Sequence, residues 1–255
     1  MQRDGQRVLV IGARSCCGCG AGVHGSCLRY FLQCSAGAGP SGLVAAKYLL
    51  SSKWGCKVSI YEQGTTIGGT FVNKTYDNTT LVSSKYITLF GMPRVSLGWA
   101  CVCVSSAELV LTFCAADLRC PPEEAEHMTA AAYVEYLDRY CDTFDLRPHI
   151  SFGRTVTSVL KVEADGNFKV EHTDASNRTY SEIFDFVIVC SGLHNVPKLP
   201  QIEGLDSFSG KVIHSSEYKE PSLFRDKRVL IVGSGETGAC PCRRSVHLRK
   251  LTIFL

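Results

Sequence analysis

The stretch RVLVIGARSCCGCG, Arg7 to Gly20, starts as a nucleotide-binding strand running into its glycine turn and then dissolves into cysteines. Val8 to Ile11 is an unbroken apolar run of the kind that fills a parallel strand buried on both faces. A phosphate loop is due next. Glycines let the backbone approach a pyrophosphate, and the following helix points its amides and positive dipole end at the phosphates. Two G-x-G-x-x-G candidates lie downstream. Gly20-Ala21-Gly22-Val23-His24-Gly25 leads into SCLRYFLQC, with no helix, strand and acid after it. Gly37-Ala38-Gly39-Pro40-Ser41-Gly42 leads at once into Ser41–Ser52, SGLVAAKYLLSS, a helical pattern with Leu43, Ala46, Leu49 and Leu50 on one face. Trp54 and Gly55 close that helix, Lys57–Tyr61 (KVSIY) reads as the next strand, and Glu62 stands twenty residues after Gly42. A carboxylate about twenty residues beyond the loop is where a ribose-binding acid belongs. The strand is therefore placed at 8–12 and its own loop at 37–42, and removing the intervening 25 residues restores VLVIGAGPSG. The competing reading makes LRYFLQC, Leu28–Cys34, the strand, but Arg29 and Gln33 then fall where a central parallel strand needs apolar residues.

A second copy, RVLIVGSGETGA at Arg228–Ala239, is uninterrupted. Gly233-Ser234-Gly235-Glu236-Thr237-Gly238 follows the strand VLIV directly, the context that gives this fingerprint its weight. Between the two copies, Thr129 reads as the N-cap of a helix whose face is Tyr133, Tyr136, Leu137 and Tyr140. Three strand-like runs follow, TVTSVLKVE, NFKVEHT and YSEIFDFVIVCSG, with Asp165-Gly166-Asn167 as a hairpin turn between the first two. Val8–Ile11, Lys57–Tyr61, Phe186–Val189 and Val229–Val232 are expected as buried strands, the first three in one parallel sheet and the fourth opening another.

The bulk composition is that of a globular chain, with 255 residues, 45% hydrophobic and 20% charged. A net charge of +3 without blocks of like charge gives nucleic-acid binding no electrostatic support. MQRDGQRVLVIG carries no apolar region ending in a small-residue cleavage site, so the expected setting is cytoplasmic. Leu97–Ala116 is apolar over twenty residues with one acid, Glu108, long enough for a bilayer span. A lone span inside a nucleotide-binding domain would tear it apart, so an apolar insertion is the preferred reading.

GAGPSGLVAAKYLL, SIYEQGTTIGGTF and FSGKVIHSSEYK together resemble the flavin-containing monooxygenases. Phe208, Gly210, His214, Ser215 and Tyr218 fit that family's F-x-G-x-x-x-H-S-x-x-Y fingerprint just before the second glycine turn, and Gly68-Gly69 followed by Phe71 fits its Gly-Gly-x-Trp turn with Phe for Trp. VIVCSGLHNVPKLPQIEG resembles its linker. The resemblance implies an α/β protein: a Rossmann-like FAD-binding domain with a β-meander over 1–206, carrying insertions at about 14–38 and 91–116, then the truncated start of a Rossmann-like NADPH-binding domain over 207–255. It implies FAD and NADPH as cofactors, and a small-molecule substrate and O₂ as partners. A soft nitrogen or sulfur nucleophile would be oxygenated through a flavin hydroperoxide. Gly12 or Gly37, Gly39, Pro40, Ser41 and Gly42 would hold the FAD pyrophosphate, Glu62 with Gln63 beside it would bind the adenosine ribose, and Gly69 would lie near the flavin. Gly233, Ser234, Gly235 and Gly238 would hold the NADPH pyrophosphate. His214 would be structural, packing the linker.

Departures from the family pattern coincide with the cysteines. Residues 14–36, 91–116 and 240–255 hold ten of the fourteen. They are read as accidental additions that should protrude, with Gly12 and Gly37 left close in space. Other readings remain. Cys16-Cys17-Gly18-Cys19 contains the C-x-x-C of a disulfide reductase, and Cys16, Cys19, His24 and Cys27 have the ligand types for zinc. A Baeyer–Villiger or N-hydroxylating monooxygenase and a non-catalytic fragment are further alternatives. The family's flavin-side Asn falls where this chain reads Leu81-Val82-Ser83-Ser84, with Asn78 out of register.

Overall fold

The computed structural model describes residues 6–11, 14–15, 32–33, 37–52, 55–76, 79–90, 117–162, 166–192, 197, 199–233 and 252–254. Strand β1 (Arg7–Ile11) lies inside a parallel sheet of order β5-β4-β1-β9, with β4 at Lys57–Tyr61, β5 at Ile150–Ser151 and β9 at Phe186–Val189. Because side chains alternate across a strand, β1 feeds two cores at once. Val10 packs with Leu43 and Ala46 of helix α1 (Pro40–Leu50) and with Tyr133, Tyr136, Leu137 and Tyr140 of the long helix Ala130–Thr143. Leu9 and Ile11 pack with Tyr61 of β4 and with Val156, Val170 and Phe184 of an antiparallel meander. That meander is β6 (Thr155–Lys161), β7 (Phe168–Thr173) and β8 (Thr179–Phe184). The fold is thus α/β, Rossmann-like with a β-meander.

Helix α1 starts at Pro40, whose fixed φ suits the first helical position, and ends at Leu50, two residues short of the expected Ser52. The short helices α2 (Thr70–Asn73) and α3 (Lys85–Thr88) follow the Gly68-Gly69 turn. The long helix, α4 (Ala130–Thr143), is capped as its sequence implies, the Thr129 hydroxyl accepting from the Ala132 N–H at 3.1 Å.

The last strand-like run proves to be two strands in two sheets. The break is Asp185. Its carboxylate accepts from the Arg7 N–H at 2.6 Å and its own N–H donates to the Arg7 carbonyl at 3.0 Å, so the chain leaves the meander at Phe184 and joins the parallel sheet at Phe186. The expectation that Phe186–Val189 is buried fails. Among the described residues β9 pairs on one side alone, and Phe186 and Val189 are 50% and 54% exposed.

A second sheet holds β10 (Val212–Ile213), β12 (Thr252–Phe254) and β11 (Val229–Ile231), all parallel, the start of a second Rossmann-like unit. Strand β11 is also less buried than expected, with Leu230 and Val232 exposed and the strand ending one residue early. Within the tail, Thr252–Phe254 forms the central strand of this sheet, paired with β10 on one side and β11 on the other.

Both insertions leave and rejoin the fold through paired flanks. Arg14–Ser15 (β2) pairs antiparallel with Leu32–Gln33 (β3), so Leu32 and Gln33 belong to this ribbon and the alternative parallel strand at Leu28–Cys34 is rejected. At the second insertion the Asp117 N–H donates to the Phe90 carbonyl at 2.8 Å. The bodies of both insertions, including Cys16, Cys19, His24, Cys27, the Gly20–Gly25 decoy and Leu97–Ala116, lie outside the described residues. So do Asn78 and Asp165. Among the described residues no helix is long and apolar enough to cross a membrane, and no cluster of metal-ligand type occurs.

Candidate functional site

The glycine loop after the first insertion closes onto the ends of β1 and β4. A Cβ on Gly37 would lie 2.3 Å from the Tyr61 carbonyl oxygen and 3.2 Å from that of Val10, so only glycine fits there. A Cβ on Gly42 would lie 1.7 Å from the Gly37 carbonyl oxygen, so glycine is needed for α1 to pack this close. These contacts put the loop at 37–42 against the carboxyl end of β1 even though about 25 residues separate them in sequence. Gly39 caps α1 without a side-chain hydrogen bond, and Ser41 is exposed in the first turn. The first-turn amides of an eleven-residue helix therefore lack a side-chain acceptor, the arrangement that favours an anion.

Glu62 follows β4 and is 1% exposed. Its Oε2 accepts from the Ala38 N–H at 3.0 Å and its Oε1 from the Gly64 N–H at 2.7 Å. An ionised carboxylate is acceptor-only, the type of group that takes the hydroxyls of a ribose. The Glu62 N–H in turn donates to the Ser151 carbonyl and its carbonyl accepts from the Arg154 N–H. Gln63 is exposed beside it. The Gly68 N–H donates to the Ala38 carbonyl at 3.1 Å, which hooks the Gly-Gly turn onto the glycine loop. Gly68 and Gly69 have φ of 114° and 55°, in the region that favours glycine, and Phe71 packs edge-on against Tyr133 at 4.7 Å.

Glu62, Gly37, Gly39, Pro40, Ser41, Gly42 and Gly69 are thus brought together, while Gly12 lies outside the described residues. Gly233 has φ of 121° just after β11; Ser234, Gly235 and Gly238 lie outside the described residues. Ala38, Gly64 and Gly68 complete the site through backbone groups that sequence reasoning missed. The Gly68-Gly69 pair was a signal for Gly68, whereas nothing in the sequence marks the amide of Ala38 or Gly64.

Behind Glu62 lies a polar cluster. The Tyr61 hydroxyl donates to Glu182, which also accepts from Arg7 at 2.8 Å and faces His172 Nε2 at 3.1 Å. Burial and this carboxylate raise the Tyr61 phenol above its ordinary range. Burial also pushes Glu182 up, but the hydrogen bonds from Tyr61, His172 and Arg7 outweigh it and bring its pKa down to about 2.

His214 is structural, though by capping rather than by packing. Its Nδ1 accepts from the Ser216 N–H at 3.1 Å, while Glu217 reaches back to the His214 N–H.

A sequence model described as "Flavin-binding monooxygenase-like" matches residues 35–248. The chain belongs to the flavin-binding monooxygenase-like family. The family match opens two residues before Gly37, in agreement with a loop at 37–42. Monooxygenase PC-14 of Penicillium crustosum is 39% identical over 209 residues, 79% of this chain and 31% of that protein. Senecionine N-oxygenase of Tyria jacobaeae is 31% identical over 205 residues, 80% of this chain and 42% of that protein. The S-allyl-L-cysteine S-oxygenase of Allium sativum superposes with a TM-score of 0.70 at 19% identity, over 99% of this chain and 52% of that one, a likeness of fold. The chain thus spans roughly a third to a half of the length of the family members it matches.

Proposed function

We propose that this chain is the cofactor-binding portion of an FAD- and NADPH-dependent monooxygenase acting on a soft nitrogen or sulfur nucleophile of a small molecule, with O₂ as co-substrate. The observation that carries the reading is the junction of Gly37, Gly42 and Glu62 at the carboxyl ends of β1 and β4. The residues fit the dinucleotide. Gly37 and Gly42 make the tight turn that packs α1 against β1 and β4, Gly39 would let the backbone approach a pyrophosphate, the first-turn amides and positive end of α1 would face it, and Glu62, which holds the loop, would take the ribose. Gly69 and its turn lie on the flavin side, and Gly233 to Gly238 receive NADPH in the second unit, with a domain boundary near 206. When bound, FAD supplies hydride acceptance and oxygen activation, and the protein supplies orientation and exclusion of water. N- and S-oxygenases among the relatives support the substrate class.

FAD titration, followed by quenching of flavin fluorescence, tests the reading on the chain and on a variant lacking 14–38. Saturable binding by the variant, with weak or no binding by the parent, is expected. No binding by either would overturn it. Tight binding by the parent would show that the insertion is compatible with the site.

A further inference from the structure

The second nucleotide-binding unit meets the first at an aromatic pair, and we propose that this pair, Tyr76 with Tyr218, is the positioning contact that registers the second unit against the segment leaving the Gly68-Gly69 turn. The proposal rests on the function proposed above. Tyr218 is 3% exposed and forms the second unit's small core with Ile213 and Phe224. Tyr76, from the first unit, packs against that core with its ring edge-on to Tyr218 at 5.1 Å. Beside the rings, Lys219 Nζ donates to the Thr75 carbonyl at 3.2 Å.

Each ring is carried by a fixed backbone. The Tyr76 N–H donates to Thr79 Oγ1 at 2.9 Å, and the Thr79 N–H returns to the Tyr76 carbonyl at 3.1 Å. The Thr79 carbonyl accepts from the Ala130 N–H at 2.8 Å, which ties the segment to the start of α4. Upstream, the carbonyls of Gly68 and Gly69 accept from the first amides of α2, so Tyr76 stands seven residues from Gly69 on a short, bonded path. On the other side, the cap formed by His214 and Glu217 sets the turn that presents Tyr218. Hydride transfer between two cofactors held by separate units needs their reacting atoms about 3–3.5 Å apart, and a misplacement of about 1 Å costs on the order of a hundredfold. A rigid pair at the junction is the kind of contact that sets this spacing.

The test uses the full chain and amide hydrogen exchange, which requires no cofactor. Tyr76→Ala should speed exchange in Val212–Ile213 and Val229–Ile231 by up to about tenfold, the equilibrium worth of an aromatic pair. Val8–Ile11 should be unaffected, and Tyr76→Phe, which keeps the ring, should lose less protection than Tyr76→Ala. In a flavin-loaded form lacking 14–38 and extended to complete the second unit, Tyr76→Ala should lower the limiting rate of flavin reduction by NADPH and leave the NADPH concentration at half-maximal rate unchanged. Unaltered exchange in the second unit overturns the proposal, as does equal loss of protection in Val8–Ile11. If Tyr76→Ala does not fold, Lys219→Met decides: faster exchange confined to the second unit supports the contact and no change rejects it. Failure of every form to bind FAD would overturn the proposed function, and the exchange measurements would still decide the pair.

Discussion

The Phe90 carbonyl accepts a hydrogen bond from the N–H of Asp117 at 2.8 Å, across 26 intervening residues. The knot around this bond is made of residues that lie inside the family pattern. The Phe90 N–H donates to the Tyr136 hydroxyl, which donates in turn to the Leu118 carbonyl at 3.3 Å. Lys47 and Tyr48 of α1 both reach the Asp117 carboxylate. The insertion thus emerges from a closed neck.

A carbonyl bonded to an N–H in this way matches the first and fourth residues of a β-turn. Replacing 91–116 by Asn-Gly should therefore preserve the fold. Loop closure should become cheaper by about 2 kcal/mol in the chain-entropy picture, read as a higher urea midpoint. A lower midpoint would mean that the insertion contributes contacts of its own. Tyr136→Phe in the same background should cost about 1–3 kcal/mol, because the Phe90 amide loses its acceptor.

Gly42→Ala tests the close packing of α1. The new methyl would meet the Gly37 carbonyl oxygen at 1.7 Å, backbone against backbone, where no rotamer relieves the clash. A loss of about 1–3 kcal/mol or more in chemical denaturation is expected, with weaker flavin retention. An unchanged midpoint would show that the loop moves freely from the helix.

Glu62→Gln keeps the shape of the side chain but exchanges one acceptor oxygen for a donor. One of the two amides now bound, Ala38 or Gly64, then faces an N–H group. The expected loss is about 1.5–3 kcal/mol in stability, the worth of a hydrogen bond to a charged group, together with weaker FAD binding. Full flavin affinity in this variant would remove Glu62 from the ribose site.

Glu182 makes stability depend on acid. Its folded pKa of about 2 lies below the ordinary carboxylate value of about 4.3 in the unfolded chain. Its contribution is complete above the unfolded value and is lost as pH falls from there through about 2. Glu182→Gln should flatten the stability profile in that window and leave the shape near neutrality alone. Equal acid limbs in parent and variant would assign the loss to other carboxylates.

How much could be read in advance differs from element to element. The run Val8–Ile11, the glycines at 37–42 and the acid at 62 announce a strand and a glycine loop that meet across an insertion. Each is dictated by local chemistry: apolar residues for a two-sided core, glycine for close approach, a carboxylate at a fixed chain distance. The cap at Thr129 and the face Tyr133, Tyr136, Leu137 and Tyr140 were equally legible, because capping and helical periodicity act within a few residues. By itself the sequence determined the fold class, the placement of the loop at 37–42 after β1 and the family.

Only the tertiary structure decided what depends on partners distant in the chain. Asp185 divides one apolar run into two strands because Arg7, 178 residues away, supplies the N–H that its carboxylate takes. Phe186 and Val189 are exposed because β9 has one neighbour among the described residues, and a strand's own composition does not say how many neighbours it will have. Thr252–Phe254 becomes a central strand because β10 and β11 stand on either side of it. Which backbone amides Glu62 would hold, and that Phe90 and Asp117 would meet, follow from where the packed helices bring the chain back. Hydrogen bonds and packing are made in space, and residue spacing along the chain records them only when the partners are local.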